Sequence, residues 1–200
     1  MAITINGDGT LTGVSVGGLP DGIVDTDMLA TDAVSAAKLQ STAIAAGDLP
    51  AGSILQVVQT VKTDTDSTSS TTISDIAGMS RSITPVASGS SLLIISDLSL
   101  ANNSQGSTAV LDLYRDSTAI AQPDSGTWAA TISHWANGST AVWNRSFTFL
   151  DTPTYTLGNS LTYKWRWRVD NTSLTTWVNR HNGNANYSSV SQITVMEVAA

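Results

Sequence analysis

Apolar residues in the first quarter of the chain recur with a period of ten. Two series run in parallel, one of Val or Ile and one of Leu that follows five residues later. Their members are Val14, Leu19, Val24, Leu29, Val34, Leu39, Ile44 and Leu49. Ile54 continues the first series and Gln59 breaks the second, so the repeat ends near residue 52. A fixed period of this kind is typical of a repetitive architecture.

A period of ten excludes one continuous regular element. Each repeat of a helix would drift by about 80°, and in a strand an offset of five places Val and Leu on opposite faces. Short elements separated by turns fit the pattern, but each offers only two apolar side chains. Three copies around an axis can close a core that one chain cannot. The repeat therefore predicts a homotrimeric shaft, and the alternative is a flexible linker whose periodicity is accidental.

From residue 53 onward the pattern changes to short runs rich in Val, Ile, Thr and aromatic residues, separated by turn-forming stretches. Some eight to ten such strands in one segment are typical of a β-sandwich or jelly roll. We expect strands at 54–61, 83–86, 91–96, 109–114, 119–121, 128–135, 141–150, 161–170, 176–179 and 192–198. The one helical signal is weak, one or two turns at 32–40 with Asp32 as N-cap.

The run at 161–170 alternates between two kinds of side chain. Tyr163, Trp165 and Trp167 share one face with Val169, while the other face is the cationic row of Lys164, Arg166 and Arg168. The aromatic face fits a platform for stacking sugars or bases. We favour the other interpretation, in which these aromatics fill the core and the cations face solvent or the Asp residues of a neighbouring chain.

The amino-acid composition also changes near residue 52, where the ten-residue repeat ends. All twelve aromatic residues lie at or after Tyr114, so residues 1–52 have little with which to build a core of their own. Ser and Thr supply 54 positions, whereas Glu197 is the only Glu, which disfavours an all-α fold. A net charge of −7 argues against nucleic-acid binding. No apolar run is long enough to span a membrane, and residues 1–9 do not resemble a signal peptide.

Candidate chemistry is sparse. The chain has no Cys, which excludes disulfides, thiol catalysis and Cys-based metal sites. GVSVG at 13–17 matches the nucleophile elbow of hydrolases, but it lies inside the first apolar repeat, where no sheet can precede it. The Asp-rich turns near 8 and 21–27 lack the closing Glu of a calcium loop, and two His residues 47 apart do not make a zinc site. We therefore predict no catalytic residue, metal or cofactor.

The polar loops contain the candidate binding residues. Loops at 102–107, 137–140 and 179–189 combine Tyr, Ser, Gly and Asn, the texture of recognition loops. Asn102, Asn137, His181 and Tyr187 are accordingly the candidate contacts to a host surface polymer. The same composition also fits plain polar loops without a partner.

Several segments resemble a known group of proteins. They are NGDGT at 6–10, GVSVGGLPDG at 13–22, DAVSAAKL at 32–39, LPAGSILQVV at 49–58 and SQITVMEV at 191–198. Together they are similar to structural and fibre proteins of marine and cyanobacterial tailed phages. The resemblance implies a trimeric virion fibre with a repetitive shaft and a β-sandwich tip. It supplies no catalytic residues, and the WRWR run at 165–168 is bulkier than the residues expected there.

These observations predict an all-β, homotrimeric protein. Residues 1–52 would be a virion-attachment segment and shaft, and residues 53–200 a jelly-roll-like β-sandwich knob. The expected function is that of a tail fibre or adhesin located in the virion. It would dock on another virion protein through residues 1–20 and meet host polysaccharide through the knob, without nucleic acid or membrane insertion. The alternatives are a head fibre or capsid decoration protein, and a carbohydrate-binding module with a Trp165/Trp167 platform.

Overall fold

The computed structural model describes residues 4–5, 7, 11–12, 31, 34, 44–103, 106–135, 141–184 and 186–200. The chain forms two compact units, Met1–Ala45 and Ala46–Ala200. In the first unit, two short strands, β1 (Thr4–Ile5) and β2 (Leu11–Thr12), pair antiparallel. The predicted helical turns at 32–40 lie outside the described residues except for Val34. The division at residues 52 and 53 into a shaft and a knob stays a prediction.

Almost all of the regular secondary structure described in the second unit is β-strand. The unit begins with a single 3₁₀ turn, Ala46–Asp48. The strands are β3 (Ile54–Lys62), β4 (Asp66–Thr68), β5 (Ser74–Ile83), β6 (Ser91–Asn102), β7 (Thr108–Arg115), β8 (Thr118–Ile120), β9 (Ile132–Trp135), β10 (Trp143–Asp151), β11 (Leu161–Val169), β12 (Thr176–Val178) and β13 (Ser191–Val198). Within the described residues of both units, nothing helical is long or apolar enough to cross a membrane.

Six of these strands form an antiparallel sheet, which we call sheet I. Its central strand β6 pairs along one side with the whole of β10. The other side of β6 pairs first with β13 and then, near its end, with β12. Strands β3 and β4 complete the sheet by pairing with β13 and β12. The long β6 therefore holds sheet I together.

The other five strands form sheet II, which is also antiparallel. Its order is β5, β11 and β7, and β7 then pairs with β8 at one end and with β9 at the other. Strand β11 lies in the centre of this sheet, so its two faces have different surroundings. One face of β11 packs toward sheet I, and the other face lies on the outer side of sheet II.

The core lies between the two sheets and is built by strict alternation. In the first part of β6, Leu92, Ile94, Ser96 and Leu98 are buried, while the alternate residues Leu93, Ile95 and Asp97 are partly exposed. The three buried apolar residues belong to one apolar cluster with residues of sheet II such as Trp165, whose indole N–H donates to Ser96 Oγ of sheet I at 2.9 Å. The expectation of an all-β protein with two packed antiparallel sheets is confirmed. The jelly-roll description, the shaft and the homotrimer stay predictions.

The strand predicted at 83–86 is wrong, because β5 ends at Ile83. Pro85 has no N–H with which to continue a ladder. The next two amides, of Val86 and Ala87, donate instead to the carboxylate of Glu197 on β13, at 2.9 to 3.0 Å. The chain therefore leaves the sheet at a side-chain anchor that strand periodicity does not predict.

Candidate functional site

Three of the eight repeat positions belong to the described residues. Val34, Ile44 and Leu49 are all exposed, with more than a third of each residue accessible in the single chain. Burial of their apolar surface thus requires something beyond this chain's described residues. The other members lie outside the described residues: Val14, Leu19, Val24, Leu29 and Leu39.

The assignment of Asn102 as a host contact is wrong, because only 1% of this residue is exposed. Asn102 is the last residue of β6. Its Oδ1 accepts from the Thr176 hydroxyl at 2.8 Å, and its Nδ2 lies 3.4 Å from the backbone oxygen of His134. The polar composition around Asn102 indicates a loop, but this residue is in fact the end of a long strand. Asn137 lies outside the described residues.

The other two candidates meet in one loop. Tyr187 is 65% exposed, and its ring makes an edge contact with His181, with ring centroids 5.9 Å apart. The His181 amide also donates to the Tyr187 carbonyl at 3.1 Å, which closes the loop. The two rings therefore form a small aromatic surface, and a host contact through it stays a prediction.

The loop is anchored by a residue that sequence reasoning does not single out. Asn179 is fully buried and adopts a positive φ of 60°. Its Nδ2 donates to the Lys62 carbonyl at 2.7 Å, and its Oδ1 accepts from Ser191 Oγ at 2.6 Å. Asn tolerates the left-handed region better than most residues, which is the one signal in the sequence that could have found it.

The aromatic platform predicted on β11 does not exist at the surface. Trp165 is fully buried and Trp167 is 2% exposed, because their face of β11 packs into the core. The interpretation of these aromatics as core residues is confirmed. A sugar-binding platform at Trp165 and Trp167 is wrong.

The cationic row on the opposite face is mostly satisfied within its own chain. Asp75 on β5 accepts from Lys164 Nζ at 2.9 Å and lies 2.8 Å from Arg166 Nε. Arg168 pairs with no acid among the described residues, and its guanidinium lies 5.2 Å from the ring centre of Trp128. The row therefore has one cation left for an external acid.

The two histidines sit in unlike environments. His134 is fully buried, and its Nδ1 accepts from Arg145 Nε at 3.1 Å. Burial and the charge of Arg145 lower the pKa of His134 to about 4, so the ring is neutral near pH 7. His181 uses its Nδ1 to accept from the Gly183 amide at 3.0 Å. Neither ring receives a hydrogen bond from a serine or threonine hydroxyl among the described residues.

No cluster of three metal-binding side chains occurs among the residues that the structure describes, and no pocket is formed by them. The GVSVG motif at 13–17 lies outside these residues. The described surface of the second unit consists of sheet faces and polar loops.

No protein-family model matches the chain, and no curated protein does. Among solved structures, it is similar to the VP2 subviral particle of infectious bursal disease virus, with 14% identity and a TM-score of 0.35 over 72% of this chain and 37% of that one. T=1 particles derived from infectious bursal virus match with 11% identity and a TM-score of 0.28, and the virus of the Gx strain with 15% and 0.24. Each covers 72% of this chain and 36% of the other. The chain thus spans little more than a third of the length of these proteins.

Proposed function

We propose that this protein is a structural component of a tailed-phage virion, a homotrimeric fibre attached to the particle through residues 1–20. The observation that carries the proposal is the ten-residue repeat, which offers apolar side chains in register but too few for a core. Exposure of Val34, Ile44 and Leu49 in the single chain supports it. Apolar positions made for contact with other chains are expected to be accessible until those chains are present.

The sandwich of residues 46–200 supports the second part of the proposal, a knob that faces the host. It has a continuous core of its own, whose strands are held without any disulfide. The loop with His181 and Tyr187 supplies an accessible aromatic surface, and aromatic rings are well suited to contacts with saccharides. The knob would therefore contact a cell-surface polysaccharide through this loop.

A second candidate is a head fibre or capsid decoration protein. The ten-residue repeat runs only from Val14 to Leu49, and so few repeats also suit a short projection on a capsid. Both candidates predict a trimer and a virion location, and they differ in the component that residues 1–20 contact. A density map of the whole particle that resolves these residues separates the two.

The homotrimer is tested by light scattering of the full chain, which should give the mass of three chains of 20.8 kDa each. Val34→Asp should reduce this mass, because it places a charge at an in-register position. Thr31→Asp is the matched control: it changes an exposed residue of a spacer and should leave the trimer intact. A monomeric wild-type protein, or equal behaviour of the two variants, would overturn the proposed shaft.

Host contact is tested by the binding of labelled protein to host cells. Tyr187→Ala should reduce binding at least tenfold without a change in melting temperature, because the side chain is exposed. Val86→Ala removes a comparably accessible apolar side chain outside the loop and should bind like the wild type. Equal binding of the wild type and both variants would rule out the loop as the contact.

A further inference from the structure

The outer face of sheet I carries an apolar row across four strands. Leu150 on β10 lies opposite Leu93 on β6, which lies opposite Met196 on β13, which in turn lies opposite Val57 on β3. Residues directly opposite each other share one face of a sheet, so these four side chains are neighbours. Ile54 and its partner Val198 extend the row toward the start of β3. We call these six residues the apolar face.

The apolar face is open in the single chain. Val57 is 54% exposed, Leu150 52% and Ile54 48%, and the other three residues are partly exposed. Scattered apolar side chains on a surface are ordinary, but a contiguous row across four neighbouring strands marks an interaction surface. Because β3 and β10 are edge strands, the row reaches from one edge of the sheet to the other.

The far end of the same sheet face is more polar, although it includes the exposed Val61, and its polar side chains bond to one another. Asp97 accepts hydrogen bonds from Ser146 and from Gln192, and Gln59 donates to Gln192 at 2.9 Å. Asp97 is the one charged residue among the outward-facing positions of β3, β6, β10 and β13, all of which the structure describes. The outer face of sheet II is different, since it carries the cationic row and Asp75. Only sheet I thus presents a nearly uncharged outer face.

We propose that the apolar face contacts a second copy of this chain, around the axis of the trimer. This inference rests on the proposed homotrimer. Around a three-fold axis, groups that lie near the axis approach their own copies, so a chain with a net charge of −7 fits such a contact best through an uncharged surface. A partner of opposite charge would instead favour a charged face. Self-contact is therefore the occupant that the chemistry of this face fits.

The position of Ile54 connects the apolar face with the repeat. Ile54 keeps the ten-residue phase of Val34 and Ile44, and it is also the first residue of β3. If this series faces the trimer axis, each copy begins its sandwich with Ile54 directed to that axis. The apolar face is the sheet surface that continues from this residue, so the three knobs would pack through sheet I and leave sheet II outside.

Because the chain has no Cys, single thiols can report on this contact. Val57→Cys places a thiol in the apolar face, and Val190→Cys places one in a loop outside it. The two valines are 54% and 57% exposed in the single chain, so both thiols should react with a bulky maleimide at similar rates in a monomer. In the full-length trimer, we expect Cys at 57 to react at least tenfold more slowly than Cys at 190. Both substitutions are small and at exposed positions, so the variants should fold.

Each outcome of the labelling experiment decides between the apolar face, the trimer and the second copy as parts of the proposal. Equal labelling rates in a protein that light scattering shows to be a trimer would overturn the apolar face as the contact and leave the proposed trimer standing. A monomeric protein would remove the basis of both. Slow labelling at position 57 in a monomer would show that the chain's own residues cover the face, and would overturn the second copy as its occupant.

Discussion

The guanidinium of Arg115 and the carboxylate of Asp151 form an ion pair that links the two sheets, with Nη1 2.8 Å from Oδ1 and 2.6 Å from Oδ2. The Tyr163 hydroxyl donates to Oδ2 of the same carboxylate at 2.7 Å. Arg115 and Tyr163 belong to sheet II and Asp151 to sheet I. Burial, with the adjacent Asp151 carboxylate, raises the pKa of Tyr163, so this phenol stays a donor at any ordinary pH.

Asp151→Asn should lower the free energy of unfolding by about 2 kcal/mol, because it leaves a partly buried guanidinium without its countercharge. Denaturation of the full chain with urea measures this. Asp75→Asn is the matched control, since Asp75 also pairs with cations but its side chain is 54% exposed. It should cost less than about 1 kcal/mol. Similar losses for both variants would contradict a special role for the pair between the sheets.

Glu197 should make the protein sensitive to acid. Burial of its carboxyl raises its pKa, but hydrogen bonds from Gln56, Val86 and Ala87 outweigh this and hold the pKa below the ordinary value of 4.5. The unfolded chain therefore takes up the proton first, and stability falls as the pH drops below about 4.5 toward the folded-state pKa. Urea midpoints measured from pH 6 to pH 3 should show a shallower fall in Glu197→Gln than in the wild type. Parallel curves for the two proteins would show that the Glu197 carboxyl is neutral in the folded protein.

His134 should titrate near pH 4 in the folded protein, far below its ordinary value of 6.5. The unfolded chain binds the proton between these two values, so stability declines as the pH falls from about 6.5 to 4. NMR of the imidazole ring protons measures the midpoint, and His134→Gln identifies the resonance. A midpoint above 6 would contradict the buried, neutral ring.

Trp165→Ala should destabilise the sandwich by about 3–5 kcal/mol, because it opens a cavity in the core and removes the edge contact with Phe147. Trp143→Ala changes the same side chain at a position that is 46% exposed, and should cost less than about 1 kcal/mol. Thermal melting of both variants gives the comparison. Near-equal melting temperatures would mean that Trp165 is not a core residue.

The alternation of apolar and polar residues was sufficient to predict those strands whose pairing is regular. Strand β11 was predicted with its aromatic face in the core, and β3, β7 and β13 near their observed bounds, since one buried and one accessible face produce a period of two. Strand β5 was missed. Its buried residues Ile76, Met79 and Ile83 are spaced by three and four, because the pairing with β11 is irregular around Gly78, whose φ is +75°. A bulge of this kind removes the periodic signal.

The candidate site was less predictable, because it depends on contacts between residues far apart in the sequence. The loop composition pointed to Tyr187, which is exposed, but it also pointed to Asn102, which is buried at the end of β6. Local composition does not reveal which polar residues find partners on distant strands. The apolar face was missed as well, since its six residues come from four strands and become neighbours only through the sheet register.

The pairing of β3 with β13 has a mechanical consequence. The two strands run antiparallel from Lys62 opposite Ser191 to Ile54 opposite Val198. A pull between the start of β3 and the loop before β13, which carries Tyr187, drags the two strands past each other along their axes. Such shear loads all the hydrogen bonds of the pair at once instead of opening them singly. A knob tethered at Ile54 and held at Tyr187 would thus resist flow through its first and last strands.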